Sequence, residues 1–224
     1  AGDFRLPSVE LDLRDGSHVA DLRYVSSRQE RGKYALEGLP AFFASEDQAD
    51  TLIITLEDAV AQVRVELLYG VFEDCDLITR AVRITNQGSQ PVRLRRAASL
   101  CLDFPSAQLD FITFDGGHVK ERGLNRAPLR PGVQSVGSIR GISSHQQNPF
   151  VMLCEPHADE EHGTCYGAAL VYSGNFEAAV ERAQFEDARL TLGIHPFHFC
   201  WTLEPGEVFT TPEAAMICSQ QGFG

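Results

Sequence analysis

Six consecutive side chains, Ser143, Ser144, His145, Gln146, Gln147 and Asn148, carry neutral hydrogen-bonding groups, and the run closes with Pro149 and Phe150. Such a row presents donors and acceptors without charge, which suits either the hydroxyls of a sugar or the backbone of a neighbouring domain. No stretch of it offers one apolar face to a strand or helix, and Pro149 biases Asn148 toward extended backbone, so a loop held by its own side-chain bonds is predicted. A second candidate is Tyr172-Ser173-Gly174-Asn175-Phe176. There Tyr172 and Phe176 could stack on the apolar side of a sugar while Asn175 bonds its hydroxyls. The simpler reading of the first segment is that its amides satisfy the protein's own backbone. For the second, it is a turn in which Gly174 and Asn175 take special backbone angles and the aromatics fill the core.

Other residues with chemical capacity point elsewhere. His157, Asp159, Glu160, Glu161 and His162 are metal-ligand types, but in a stretch that begins at Pro156 they read as a solvated acidic loop. His195 and His198 are three apart on what reads as extended chain, so they should face opposite ways. The six cysteines show no C-x-x-C pair or ligand-like rhythm, and free thiols are expected. No nucleophile elbow or phosphate loop is present. A formal charge of −12, with Arg93, Arg95 and Arg96 the one basic cluster, argues against a nucleic-acid partner.

The elements that must hold these residues are strands. Val63, Val65, Leu67, Tyr69 and Val71 alternate with Arg64 and Glu66, and Val92, Leu94, Ala98, Leu100, Leu102 and Phe104 share one face against Arg93, Arg95, Ser99 and Asp103, although Arg96 interrupts the apolar face. Leu190, Leu192 and Ile194 repeat the pattern, and it is expected to resume after Pro196 through Phe197, Phe199, Trp201 and Leu203. That register puts Trp201, the only tryptophan, in the core. Turn chemistry falls at Asp15-Gly16, Asn86-Gln87-Gly88, Asp115-Gly116-Gly117, Pro131-Gly132 and Pro205-Gly206. Only Asn175 to Gln184 could make a short helix, and strands flank it equally well.

With 224 residues, 43% of them hydrophobic, the chain can bury roughly 70% of its unfolded surface without staples. One all-β domain over residues 1–224, a large antiparallel β-sandwich with little helix, is the simplest architecture. No apolar run reaches the ~18 residues of a membrane helix, and a cytoplasmic protein is the default expectation. Ala1-Gly2-Asp3 and Gln221-Gly222-Phe223-Gly224 look like cuts within a longer polypeptide.

Several segments, in order, are similar to the N-terminal domain of the α-galactosidases of glycoside hydrolase family 36. They are Asp3-Phe4-Arg5, Asp21-Leu22-Arg23-Tyr24, Leu39-Pro40, Asp103-Phe104-Pro105, Glu121-Arg122, Ser143 to Phe150, Tyr172 to Phe176, Gly193-Ile194 with Pro196-Phe197, and Trp201 through Pro205-Gly206-Glu207 to Thr211-Pro212-Glu213. The resemblance implies a β-supersandwich that precedes a (β/α)8 barrel hydrolysing terminal α-galactosides with retention. Retaining hydrolysis needs two carboxyl groups about 5–5.5 Å apart, and in this family both come from the barrel. The barrel's Asp-Asp-Gly-Trp and Lys-Trp-Asp motifs are absent here, so no catalytic residue, metal or cofactor is expected in this chain. Its implied partners are its own barrel, further copies in a tetramer, and α-galactoside sugars such as raffinose and melibiose. His118 stands where relatives often have Trp, which removes a planar packing surface. A stand-alone carbohydrate-binding module and a pure assembly domain are the alternative readings.

Overall fold

A computed structural model describes residues 5–13, 16–18 and 20–224. Asp3, Phe4 and Asp15 of the segments above lie outside the described residues. Sixteen strands make up almost all the regular structure there. They are β1 (Val9–Asp12), β2 (Arg23–Arg31), β3 (Asp50–Asp58), β4 (Val63–Phe72), β5 (Leu77–Asn86), β6 (Val92–Phe104), β7 (Asp110–Gly117), β8 (Lys120–Pro128), β9 (Gly132–Ser138), β10 (Gln147–Cys154), β11 (Cys165–Val171), β12 (Phe176–Arg182), β13 (Ala188–Ile194), β14 (Trp201–Leu203), β15 (Val208–Thr210) and β16 (Glu213–Ser219). A five-stranded sheet runs β1-β6-β13-β12 with β14 also on β6. A ten-stranded sheet runs β2-β3-β4-β5-β16-β11-β10-β7-β8 with β15 also on β5. Among the described residues every pairing between these strands is antiparallel, so the β-sandwich expected from alternation is the fold. Asn175 to Gln184 supplies strand β12, not a helix, because Ala178 and Val180 must face the core while β13 pairs along their backbone.

Between the sheets lie two apolar clusters. One joins Leu100, Phe104, Leu153, Leu170, Phe176, Leu190 and Leu192; the other joins Leu11, Val63, Val65, Ile84, Leu94 and Leu203. Arg96, which breaks the apolar face of β6, falls at a β-bulge against β1 and turns away from the core, where it pairs with Glu177 at 2.9 Å and meets Thr191. Two expectations change. On β4 burial switches sides: Leu68, Gly70 and Phe72 are buried while Val71 is 41% exposed. The β4 pairings run unbroken through this point. The switch therefore reflects which face is covered locally, not a slip of register. The second change follows Ile194. Residues 195–200 leave the ladder through a turn, with the Phe199 N–H donating to the Pro196 carbonyl at 3.1 Å and His198 at φ 60°. Only Trp201–Leu203 rejoins β6. The alternation expected from Phe197 is broken there, so Trp201 is 51% exposed and rests on Phe209 instead of filling the core. His198 likewise sits on a turn, not on extended chain.

The cover over the β4 end is residues 32–44, strapped across the outer face of the large sheet. Tyr34 and Leu36 pack there on Ile53, Leu68 and Ala81. A buried carboxylate fixes the strap: Glu213 accepts from the Tyr34 hydroxyl (2.8 Å), the Phe42 N–H (2.6 Å) and the Lys33 ammonium (2.7 Å). The Lys33 and Glu213 side chains are 4% and 0% exposed. Lys33 also lies 4.1 Å above the Tyr34 ring. Gly70 makes room for the arrangement, because a Cβ there would meet the Thr79 hydroxyl and the Tyr34 ring.

All six cysteines are free thiols; Cys75, Cys200 and Cys218 are exposed. Burial raises the Cys101 and Cys165 thiols and pushes Cys154 up to about 11. Ellman titration of the folded chain should therefore register three fast thiols, the exposed set, and all six after denaturation. Six fast thiols in the folded protein would contradict the buried placement. Glu213→Gln leaves the Lys33 ammonium buried without its counter-charge and should cost about 3 kcal/mol in chemical denaturation. Adding Lys33→Met should recover most of that loss, and an unchanged midpoint for Glu213→Gln alone would refute the clamp.

Candidate functional site

The two sequence candidates meet at one end of the sandwich. Past Ser138, at the end of β9, the chain loops out and returns at Gln147, the first residue of β10. Gln147 and Asn148 therefore belong to a strand, contrary to the expectation of a loop throughout: Gln147 pairs with Asp115 of β7. Pairing with a neighbour, not an apolar face, fixes their extended backbone. The loop is held internally by the Gln146 N–H on Ser144 Oγ (3.3 Å) and by the Ser138 hydroxyl on the Ile142 carbonyl (2.6 Å). Gln147 Oε1 accepts from the Gly137 N–H at 2.8 Å. This amide serves the protein's own backbone.

Asn175 joins the second segment to the first. Its Oδ1 accepts from the Gly141 N–H (2.6 Å), its carbonyl from the His195 N–H (3.1 Å), and the Ser143 N–H donates to the Ser173 carbonyl (2.8 Å). Phe176 is fully buried and Tyr172 packs against the same cluster. Gly174 does not have positive φ, contrary to expectation. A Cβ at that position would strike the Tyr172 ring, so steric room is what requires glycine.

A cavity of about 400 Å³ opens beside this loop, lined by Asp115, Gly116, Ser138, Arg140, Ser144 and Gln146 among others. Gln146 in its lining is exposed, as is the adjacent His145. Asp115, Ser138 and Arg140 escaped the sequence reading. Asp115-Gly116-Gly117 was expected to turn, but all three lie in β7, and His118-Val119 makes the turn. A Cβ on Gly116 would clash with the backbone of Lys120 and Glu121. Its glycine thus permits close approach of β8. The cavity offers one carboxylate, one guanidinium, two hydroxyls and the two amides of Gln146 and Gln147. That set can hydrogen-bond a polyhydroxylated ligand or a docked backbone, whereas retaining glycoside hydrolysis needs two carboxyl groups. A larger groove, about 780 Å³, runs past Arg5, Arg182 and Phe185, away from both segments. Two of its acids are engaged: Asp187 with Arg5 and Glu181 with the Leu6 N–H.

In the acidic loop, Asp159 Oδ1 accepts the N–H groups of Glu161 and His162, both at 2.8 Å. These bonds, the Glu161 N–H foremost, lower the carboxylate's pKa against the smaller opposing effect of burial. The loop's acid is a local cap.

Residues 1–204 match the family model described as "Glycosyl hydrolase family 36 N-terminal domain". The chain is 48% identical over 221 residues to alpha-galactosidase AgaA of Geobacillus stearothermophilus, covering 98% of the chain and 30% of that protein. It is 46% identical to the bifunctional alpha-galactosidase/sucrose kinase AgaSK of Mediterraneibacter gnavus, covering 99% of the chain and 24% of that protein. It superimposes on the crystal structure of an AgaA variant in complex with stachyose with a TM-score of 0.95, over 98% of this chain and 31% of that one. For the alpha-galactosidase of Lactobacillus brevis the TM-score is 0.96 at 41% identity, over 99% and 30%. The chain thus spans less than a third of the length of these relatives, and it belongs to glycoside hydrolase family 36 as that family's N-terminal domain.

Proposed function

We propose that this chain is the non-catalytic N-terminal β-sandwich of a retaining α-galactosidase that hydrolyses terminal α-galactosides of the raffinose and melibiose type. The observation that carries this reading is the match along the whole chain to alpha-galactosidases, at 48% identity with AgaA and over only 30% of its length. The single carboxylate lining the polar cavity supports a supporting role, since retention uses a pair. In this reading the chain buttresses the catalytic barrel, contributes to a tetramer interface and narrows access to the sugar pocket, in the cytoplasm. In the same reading the linked loops at 138–147 and 172–176 help to shape that access.

Release of p-nitrophenol from p-nitrophenyl α-galactoside should be seen with the full-length protein and not with the 224-residue chain. Hydrolysis by the chain alone would require a carboxyl pair within it and would overturn the proposal. Asn175→Ala removes the acceptor that holds Gly141 and should cost the chain about 1 kcal/mol. In the full-length enzyme it should raise KM more than it lowers kcat; a loss confined to kcat would place Asn175 in the chemistry instead.

The amide-rich loop beside this cavity also favours a second reading, a carbohydrate-binding module that works alone. Calorimetric titration of the chain with galactose and melibiose separates the two. The buttress reading predicts no heat, and saturable binding abolished by Gln146→Ala would favour the module.

A further inference from the structure

The small sheet covers one face of the large one, and the other face is covered only in part. Residues 32–44 lie over its β4 end. At the opposite end Ala158 and Phe223 pack on Ile112, Met152, Cys154 and Cys165. Between these two covers the outward residues should be polar, as on any solvated antiparallel sheet. They are apolar instead. Directly opposite one another on six neighbouring strands stand Ile112, Met152, Gly167, Ile217, Leu77 and Phe72, a row whose ends pass under the covers, Ile112 and Met152 beneath Phe223 and Phe72 against Phe42, and whose middle is open. Beside that row, Leu124 pairs with Phe114, whose ring lies 5.6 Å from Phe150, and Phe150 pairs with Ala169 and through it with Ala215. Six strands at about 4.8 Å spacing make the belt about 24 Å across.

Its open part combines exposed bulk with small residues. Ile217 is 48% and Leu124 50% exposed. Gly167 lies between them, where a Cβ would crowd Ile217 and Phe150. Glycine and alanine along a sheet face let another surface approach closely. A contiguous apolar face of this kind marks an interaction surface.

We infer that this belt is the docking surface for the further domain that the relatives carry, an inference that rests on the α-galactosidase reading. Two observations select that occupant over a second copy of the chain. Phe223 packs on the same outer face, and the N–H groups of Gly222, Phe223 and Gly224 donate to Gly163, Asp159 and Glu160, so the last residues run along the belt's border. The relatives are more than three times as long as the matched part, so a domain joined there reaches the belt with no long tether. An apolar patch bordered by the tether is therefore presented first to the domain in the same polypeptide.

Hydroxyl-radical footprinting of the 224-residue chain and of the full-length protein tests this. Ile217, Phe150 and Leu124 should label several-fold less in the full-length protein, at every protein concentration, while Val60 and Phe185, far from the belt and exposed in the chain, label alike in both. Ile217→Arg with Leu124→Arg should leave the melting of the isolated chain unchanged and restore labelling of Phe150 in the full-length protein. Equal labelling of the belt in both proteins would overturn the inference. Protection that appears only as concentration rises, with cross-links between copies, would also overturn it by making a second copy the occupant. A full-length protein that protects the belt yet releases no p-nitrophenol would sink the α-galactosidase reading and leave the docking surface standing.

Discussion

A ten-stranded sheet has two faces to bury, and its five-stranded partner is wide enough for one of them. Most of the molecule's particular features answer that imbalance. On the inner side, alternation along β4, β6 and β13 closes an ordinary interlayer core of Leu, Val and Phe. On the outer side there is no second sheet, so the chain uses what it has. One strap is pinned by a buried Lys33–Glu213 pair, and one loop is pinned by Asp159 and by the last residues of the chain. Neither is a regular element, and each depends on specific polar contacts more than on apolar area.

The same imbalance explains where pattern reading succeeded. Period-two alternation marks which residues share a face, and it was legible for the inner core and hence for the sandwich. It does not say which face will be covered. Val71 and Leu68 sit on one unbroken strand yet exchange roles, because the cover passes from the small sheet to the 32–44 strap. Trp201 shows the other failure. One turn, set by Pro196 and the positive φ of His198, removes six residues from the ladder, and an aromatic assigned to the core ends half exposed. Glycine was misread for a related reason. Gly116 and Gly174 were taken as turn formers, but each provides space for a neighbour, a role visible only in three dimensions.

The candidate site was partly legible. The neutral run and the Tyr172 to Phe176 segment were both visible as departures from alternation, but nothing in one dimension joins them. Asn175 Oδ1 does so by accepting from the Gly141 N–H, and the Ser173 carbonyl by accepting from the Ser143 N–H. Of the cavity's charges, Asp115 lies in a segment that read as a turn and Arg140 in one that drew no reading. The geometry they form offers hydrogen bonds to a polyhydroxylated ligand or to a docked backbone.

Reassembly from two pieces tests the proposed division of labour most directly. The 224-residue chain and the remainder of the full-length protein would be expressed separately, and hydrolysis of an aryl α-galactoside measured for each alone and for the mixture. The account predicts that the chain alone is silent, that the remainder is weak, and that mixing restores activity with saturation at one chain per remainder. A remainder as active alone as the full-length protein would contradict it, as would turnover by the chain by itself.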